Sequence, residues 1–218
     1  MAGTAAGLIR NQLLRPEFTG QLAERLAEGA CIKLVSAHGQ GRRRTLSDLS
    51  LCLPGSMTVL QANLRDYPQS LASMLADLAS QIGLDGIDSL EDMLDRLAQR
   101  SERTLIILHN LDELRPGTAS GYDDGFFTSL NGVRSRSALS LLCVCEHAHA
   151  DWPLDIETLF LPPLTPDQAL AEMTRRDPPV GPGERPAIAR WIVAQPAPYA
   201  LLEQPETWPC PARGAISP

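Results

Sequence analysis

Short runs of apolar residues alternate along this chain with segments in which apolar residues return every three or four positions. The apolar runs are typical of strands buried on both faces of a parallel sheet. The amphipathic segments between them are typical of helices that cover such a sheet. Strands are predicted at residues 31–37, 57–62, 104–108, 139–145 and 158–161, and the alternation predicts an α/β fold.

Turn and cap residues indicate where the helices begin and end. Pro16 suits the first turn of a helix, Gly29 ends that helix, and Ser89 and Thr165 are typical N-caps. Helices are predicted at residues 16–28, 45–53, 68–82, 89–100, 126–133, 165–175, 186–194 and 199–204.

The composition limits the class of protein. A chain of 218 residues, 44% of them apolar, is long enough for one sizeable core. The net charge of -7 argues against a general nucleic-acid binder. The five cysteines lack the spacing of a disulfide framework, and neither a signal peptide nor a membrane-spanning run is evident. A cytoplasmic protein with reduced thiols is therefore expected.

The most informative segment follows the first predicted strand and reads Ser-Ala-His-Gly-Gln-Gly-Arg-Arg-Arg-Thr over residues 36–45. A strand, a glycine loop and a helix in this order form a phosphate-binding loop, because glycines let backbone N–H groups approach phosphate closely. Gly39 and Gly41 supply this freedom. The lysine of such loops is missing, since Lys33, the one lysine of the chain, lies inside the strand.

Two interpretations of residues 38–44 remain open. The segment could be a basic surface turn that only begins a helix, or it could bind phosphate through its amides and guanidinium groups. An arginine binds phosphate bidentately but is bulkier than lysine, so the exchange is not conservative. The buried strand before the loop favours phosphate binding.

A second polar segment, His-Asn-Leu-Asp-Glu, follows the third predicted strand at residues 109–113. Its acidic pair, Asp112 and Glu113, could act on a metal ion or on water, or could belong to a solvated turn with a helix cap. His109 could bind phosphate, or it could be an ordinary polar group at the end of a strand.

These segments, in this order, resemble the P-loop ATPases of the STAND and AAA+ type over most of residues 16–204. The resemblance rests on Phe-Thr-Gly at 18–20, the glycine loop, a Walker B-like segment at 105–114, a sensor-like strand at 139–146, Leu-Pro-Pro-Leu-Thr-Pro-Asp-Gln-Ala at 161–169 and Ala-Gln-Pro-Ala-Pro-Tyr-Ala at 194–200. It implies a three-layer P-loop sandwich with a mainly parallel five-stranded sheet of order 5-1-4-3-2 and the nucleotide at the carboxyl edge of that sheet.

The resemblance also implies a division of the chain into domains. A lead-in at 1–15 precedes the P-loop α/β domain at 16–163, a small helical lid follows at 164–204, and a flexible tail occupies 205–218. Pro198 and Tyr199 fall in the lid, where they could touch the base or the loop, although Tyr199 could equally be a core aromatic.

Both nucleotide-binding motifs depart from the family pattern. Arg42 stands at the lysine position, Arg43 at the position of the hydroxyl that holds Mg²⁺, and His109 at the strand-end aspartate. The Thr45 hydroxyl lies two positions further on and would have to turn toward the site to hold the metal. ATP is expected as the ligand, and a role for Mg²⁺ is in doubt. The residues predicted to bind ATP are His38, Gly39, Gln40, Gly41, Arg42, Arg43, Arg44, Thr45, His109 and Pro198; Asp112 and Glu113 are the predicted catalytic residues, and no metal ligand is predicted.

The predicted function is an ATP-binding regulatory module with weak or no hydrolysis, which acts with partner effector or sensor proteins in a bacterial signalling or conflict system. The alternative is a pseudo-NTPase scaffold subunit that binds no nucleotide. A third hypothesis, a DNA-loading relative of the AAA+ initiators, is disfavoured by the acidic charge and the lack of an evident winged-helix domain. An oligomer is allowed, whereas membrane and nucleic acid are not expected as partners.

Overall fold

The computed structural model describes residues 12–114, 121–148 and 152–209. Most of the predicted lead-in and tail, residues 1–11 and 210–218, lies outside the described residues. The described elements are, in chain order, helix α1 (Pro16–Ala27), strand β1 (Cys31–Val35), α2 (Arg42–Cys52), β2 (Thr58–Asn63), α3 (Leu71–Ser80), α4 (Leu90–Ala98), β3 (Thr104–His109), α5 (Asp124–Gly132), β4 (Leu139–Cys145), β5 (Glu157–Phe160), α6 (Pro166–Arg176), α7 (Arg185–Val193) and α8 (Pro198–Leu202).

The five strands form one parallel sheet in the order β2-β3-β4-β1-β5. This is the predicted order 5-1-4-3-2 counted from the opposite edge, so the predicted α/β fold is confirmed. Asn63 pairs with His109 where β2 and β3 end, and Val35 pairs with Cys145 where β1 and β4 end. The polar residues that follow β2, β3 and β4 therefore lie at the carboxyl edge of the sheet.

The start of α2 differs from the prediction. The helix begins at Arg42, ahead of the predicted residue 45, because the chain turns at Gly41 with a φ of 83°. The Gly41 carbonyl then accepts a hydrogen bond from the Thr45 N–H at 3.0 Å, which closes the first helical turn. All three arginines after the loop consequently belong to the helix.

Side-chain caps fix the starts of α3, α4 and α6. Ser70 accepts from the Ser73 N–H, so α3 begins after Ser70 and not near residue 68. The predicted N-caps Ser89 and Thr165 are confirmed. Thr165 forms a capping box with Gln168, in which each side chain bonds the backbone of the other residue.

The described chain forms two compact units. The first comprises residues 12–21, 37–52 and 161–209, and the second comprises the described parts of 22–36 and 53–160. The second unit contains the whole sheet, and apolar side chains of the strands and of α3, α4 and α5 form its core. The first unit has a separate core formed mainly by α6, α7 and α8.

Among the described helices, none combines the length and the apolar character that a crossing of the bilayer requires.

Candidate functional site

A cavity lined by cationic side chains lies beside the glycine loop in the first unit. Its volume is about 500 Å³, which falls in the range of small-molecule sites. The loop, the first turns of α2 and helix α8 form its walls. Of the residues predicted to bind ATP, His38, Gly39, Gly41, Arg42, Arg43 and Arg44 line it, and Ala37, Ser47, Tyr199, Ala200 and Glu203 complete the lining.

The loop has a backbone conformation that requires glycine. Gly39 and Gly41 have φ values of 75° and 83°, in the left-handed region that other residues rarely adopt. A side chain at either position would also collide with α8 or the residue before it. A Cβ at Gly39 would overlap the Ala197 side chain, and one at Gly41 would lie 2.8 Å from Cγ of Tyr199. Both glycines predicted from the sequence are therefore required, because of their positive φ values and because no space is left for a side chain.

Helix α8 is joined to the loop by backbone hydrogen bonds. The Gly39 carbonyl accepts from the Tyr199 N–H at 2.9 Å and from the Ala200 N–H at 3.3 Å. The side-chain amide of Gln40 donates to the Pro196 carbonyl at 2.9 Å. The C-terminal helix and the loop are thus parts of one structure within this unit.

Tyr199 connects this contact to a buried carboxylate on α6. Its hydroxyl accepts from Arg176 at 2.9 Å, and the guanidinium of Arg176 also lies over the ring, 5.4 Å from its centre. Glu172, which is 4% exposed, accepts hydrogen bonds from Arg175 and Arg176. Burial raises the pKa of Tyr199, and the nearby Glu172 carboxylate raises it further.

The first turn of α2 concentrates positive charge at the cavity. The first backbone N–H groups of a helix lack intrahelical acceptors, and the helix dipole adds positive charge there. Such ends usually carry acidic side chains, but the first turn of α2 contains no acidic residue and begins with Arg42, Arg43 and Arg44. Repulsion among these groups would fall if an anion bound in the cavity, so the arrangement suits a phosphate.

The arginines differ in how firmly they are held. Arg44 forms an ion pair with Asp48 at 3.1 Å and donates to the Gln12 carbonyl, so its guanidinium has a fixed position. Arg43 is exposed, and Arg42 is partly buried. Burial raises the pKa of Asp48, although the Leu14 N–H and Arg44 act in the opposite direction.

Four residues predicted to bind ATP do not line the cavity, and one of them, His109, belongs to the second unit. Thr45 is fully buried, and its hydroxyl accepts from Arg15 at 3.1 Å and donates to the Gly41 carbonyl at 3.2 Å. Pro198 is buried as the first residue of α8. Gln40 contributes its backbone to the loop while its side chain bonds Pro196.

The predicted catalytic residues lie in the second unit, just beyond β3. Both carboxylate oxygens of Asp112 accept backbone hydrogen bonds from the chain after β4, one from the Glu146 N–H at 2.6 Å and one from the His147 N–H at 3.1 Å. The His147 ring lies 3.6 Å from the same carboxylate. Asp112 therefore holds the end of β4 in place.

Glu113 and His109 also have partners at this edge. Glu113 forms an ion pair with Arg65 at 2.8 Å. The His109 ring nitrogen Nε2 lies 3.2 Å from Oε1 of Gln61, and the tautomer decides which group donates. Asn110 adopts the left-handed conformation with a φ of 55° and donates to Asn63 at 2.7 Å, which turns the chain after β3.

The described residues show no preformed metal centre. They contain no group of three or more His, Cys, Asp or Glu side chains that could hold a metal ion. The Thr45 hydroxyl accepts from Arg15 and donates to the Gly41 carbonyl. At the cavity, the loop and the first turn of α2 present backbone amides and three arginines to a ligand.

Sequence reasoning missed three residues of the first unit. Glu203 lines the cavity and Arg15 contacts the loop, yet neither belongs to a motif. Ser47 lies one helical turn beyond Arg43 and could have been placed by helical spacing. Lys33 is 7% exposed within β1, in agreement with its predicted place inside the strand.

Solved structures of other proteins have a similar fold. Cdc6p from Pyrobaculum aerophilum gives a TM-score of 0.58 at 15% identity, over 80% of this chain and 54% of that one. Drosophila ORC bound to DNA gives 0.59 at 16% identity, over 86% and 52%. The Aeropyrum pernix ORC1 protein in complex with DNA gives 0.54 at 21% identity, over 86% and 57%.

The present chain spans slightly more than half the length of these proteins. No profile of a protein family and no curated protein matches it. At these identities the likeness shows the fold alone, and that fold has the five-stranded parallel sheet described above. The chain therefore has the predicted α/β fold of the P-loop type, which it shares with these structures.

Proposed function

We propose that this chain is an ATP-binding regulatory module of STAND type with weak or no hydrolysis, which acts in the cytoplasm with partner effector or sensor proteins of a bacterial signalling or conflict system. The observation that carries the proposal is the cavity at the start of α2. It combines positive-φ glycines, the amino end of a helix of 11 residues and the side chains Arg42, Arg43 and Arg44.

The hydrogen bonds and ion pairs of the two acidic residues support the proposal of weak hydrolysis. Attack on a phosphate requires a group that orients the attacking water. It also requires cations that neutralise the charge developing in the transition state. Asp112 binds the backbone after β4, and Glu113 binds Arg65. A carboxylate that already accepts two backbone N–H groups is a poor base, because those bonds stabilise its charged form. These contacts favour ATP binding without efficient turnover.

A scaffold subunit that binds no nucleotide remains the second candidate. It is favoured by the internal hydrogen bonds of the loop, because the Gly39 and Gln40 carbonyls are already bonded by Tyr199 and Arg15. Such a loop keeps its conformation without a ligand. The two candidates therefore differ in one measurable property, the affinity for ATP.

A thermal-shift titration with ATP separates the two candidates. A ligand that binds only the native state stabilises it by about 2.7 kcal/mol at one hundred times its Kd. We expect the melting temperature to rise with ATP to the same extent with and without Mg²⁺, because three guanidinium groups at the cavity can neutralise the phosphate charge. No rise at millimolar ATP would leave the scaffold function.

Two arginine variants make this titration specific. Arg42→Ala removes a guanidinium from the cavity and should raise the Kd for ATP by about tenfold. Arg190→Ala removes an exposed arginine of α7 that does not line the cavity, and it should leave the Kd unchanged. Equal losses in both variants would show that ATP binds through general charge. Phosphate release measured on the same proteins reports hydrolysis separately.

The similar structures make DNA binding a property to test in this chain. Two of them are complexes with DNA. For the present chain the net charge of -7 disfavours DNA as a partner, and this stays a prediction.

A further inference from the structure

Arg15 is the most deeply buried arginine among the described residues, with 1% of its surface exposed. The first unit consists of three chain segments, and Arg15 on the first segment reaches both of the others. Its Nη2 donates to the Gln40 carbonyl at 2.7 Å and its Nη1 to the Thr45 hydroxyl at 3.1 Å. Its Nε donates to the Pro162 carbonyl at 2.9 Å. Every nitrogen of the guanidinium therefore has an acceptor.

The residue before Arg15 is fixed as well. The Leu14 N–H donates to the Asp48 carboxylate at 2.7 Å, and Asp48 is a fully buried residue of α2. Burying a guanidinium is costly, and burial lowers the pKa of Arg15 to about 10. The three aligned acceptors offset part of this cost only while the segments that carry them stay in place.

The bond to Gln40 acts on the part of the loop that faces the cavity. The described peptide bonds are all trans, and in a trans peptide the C=O and N–H groups point in opposite directions. The Gln40 carbonyl points toward Arg15, so the N–H of the same peptide, which belongs to Gly41, points away from it. Gly41 lines the cationic cavity.

The neighbouring peptide is fixed in the same manner. The Gly39 carbonyl accepts from the N–H groups of Tyr199 and Ala200. Protein donors therefore bind the carbonyls of both peptides that flank Gln40 and fix the orientation of these peptides. Because Gly39 and Gly41 tolerate many conformations, these peptides could otherwise rotate.

We infer that Arg15 is a positioning residue for the anion site: it holds the Gln40 carbonyl on one side of the loop and thereby keeps the Gly41 N–H on the other side, available to phosphate. The loop consequently has its binding conformation before a ligand arrives. The inference rests on the proposed function for the identity of the ligand, but the effect of Arg15 on the loop can be measured without one.

The test is amide hydrogen exchange of residues 38–45 in the ligand-free protein. Arg15→Met keeps most of the side-chain length and removes all three hydrogen bonds, so exchange of these amides should accelerate by about tenfold or more. Arg15→Lys keeps the charge with a single ammonium, and its exchange should lie between wild type and Arg15→Met. Arg15→Lys also serves if Arg15→Met does not fold.

A core variant separates positioning from general destabilisation. Met173→Ala removes a fully buried side chain from the core of the same unit and should lower the melting temperature. It should leave exchange of residues 38–45 within about twofold of wild type, because it breaks no bond of the loop. If Arg15→Met and Arg15→Lys change the loop no more than Met173→Ala does, Arg15 is only a packing residue and the inference is overturned.

Affinity for ATP provides the second measurement. Arg15→Met should raise the Kd by about tenfold more than Met173→Ala does, with partial rescue in Arg15→Lys. If exchange accelerates as expected while wild type itself shows no affinity for ATP, the proposed function fails and the role of Arg15 in the loop stands. If Arg15→Met binds ATP as tightly as wild type, the claim that Arg15 orients the Gly41 N–H for an anion is wrong.

Discussion

At the scale of single residues, Gly41 is restricted both by its backbone conformation and by the close approach of Tyr199. Its φ of 83° excludes most side chains, and a Cβ there would lie only 2.8 Å from Cγ of the Tyr199 ring. The same residue lines the cavity and directly precedes helix α2. A single added methyl group should therefore disturb local conformation, packing and the anion site together.

We expect Gly41→Ala to lower the free energy of unfolding by about 2 kcal/mol, because of the positive φ and the contact with Tyr199. Urea unfolding monitored by circular dichroism measures this loss. Gly20→Ala is the matched control, since Gly20 lies in α1 with open space around its Cβ position. Alanine there should be neutral or stabilise by up to about 1 kcal/mol. Equal stability of the two variants would contradict the described loop.

Gly39 and Gly41 could be identified from the sequence because two glycines in a turn directly after a buried strand indicate a backbone that other residues rarely adopt. Arg15 was not identified, since Leu-Leu-Arg-Pro before a helix carries no pattern that predicts burial. Its role depends on acceptors at residues 40, 45 and 162, which only the folded chain brings together. The sequence allowed two roles for Tyr199, a contact with the base or the loop and a place in the core. The structure shows that Tyr199 packs in the core and also contacts the loop.

At the scale of elements, α6 and α8 are joined through the buried Glu172. Burial alone would raise the pKa of this carboxyl, but hydrogen bonds from Arg175 and Arg176 outweigh burial and hold the pKa below its usual range. The charged form is therefore favoured in the folded state. Because Arg176 also binds Tyr199, the carboxylate supports the contact between α8 and the loop.

The depressed pKa predicts a stability change in acid. Glu172 stabilises the folded state above the pKa of a carboxyl in the unfolded chain, about 4.3, and this contribution is lost as the pH falls through the lower folded pKa. Glu172→Gln should therefore destabilise by roughly 2 kcal/mol at pH 7, with a smaller difference from wild type near pH 3. Melting temperatures measured between pH 3 and 7 test this.

Glu206→Gln is the control for this pH series, since Glu206 is exposed in the short turn Pro205–Thr207. It should follow wild type at every pH. A difference between Glu172→Gln and wild type that grows toward pH 3 would have the wrong sign and would exclude a depressed pKa of Glu172.

Elements were predicted more accurately than their ends and their side-chain partners. The strand order and the caps Ser89 and Thr165 followed from apolar runs and cap chemistry, which are local signals. The early start of α2 was missed because basic residues are unusual at the amino end of a helix. The partners of Asp112 were missed because they lie after β4, 34 and 35 positions away in the sequence.

At the scale of the whole molecule, the two predicted motifs fall in different units. The cationic cavity belongs to the first unit, whereas Asp112 and Glu113 belong to the second. In a hydrolysing P-loop protein the nucleotide engages the strand-end acids through metal and water, so binding affects both motifs. In this chain those acids have internal partners. A regulatory site with weak hydrolysis should therefore respond to ATP mainly through its phosphate-binding loop.

Hydrogen exchange with and without ATP measures that response across the chain. We expect ATP to slow exchange at residues 38–47 and 199–203 by about threefold or more, because a bound phosphate accepts hydrogen bonds from loop amides and holds the cavity closed to water. Residues 109–113 and 146–148 should keep their rates, since the bonds of Asp112 to the chain after β4 already exist without ligand. The Arg42→Ala variant should lose the protection at the loop. Protection at residues 109–113 that appears only with Mg²⁺ and ATP together would instead show that the acidic pair takes part in binding, and the chain would then be an ATPase with an unusual metal site.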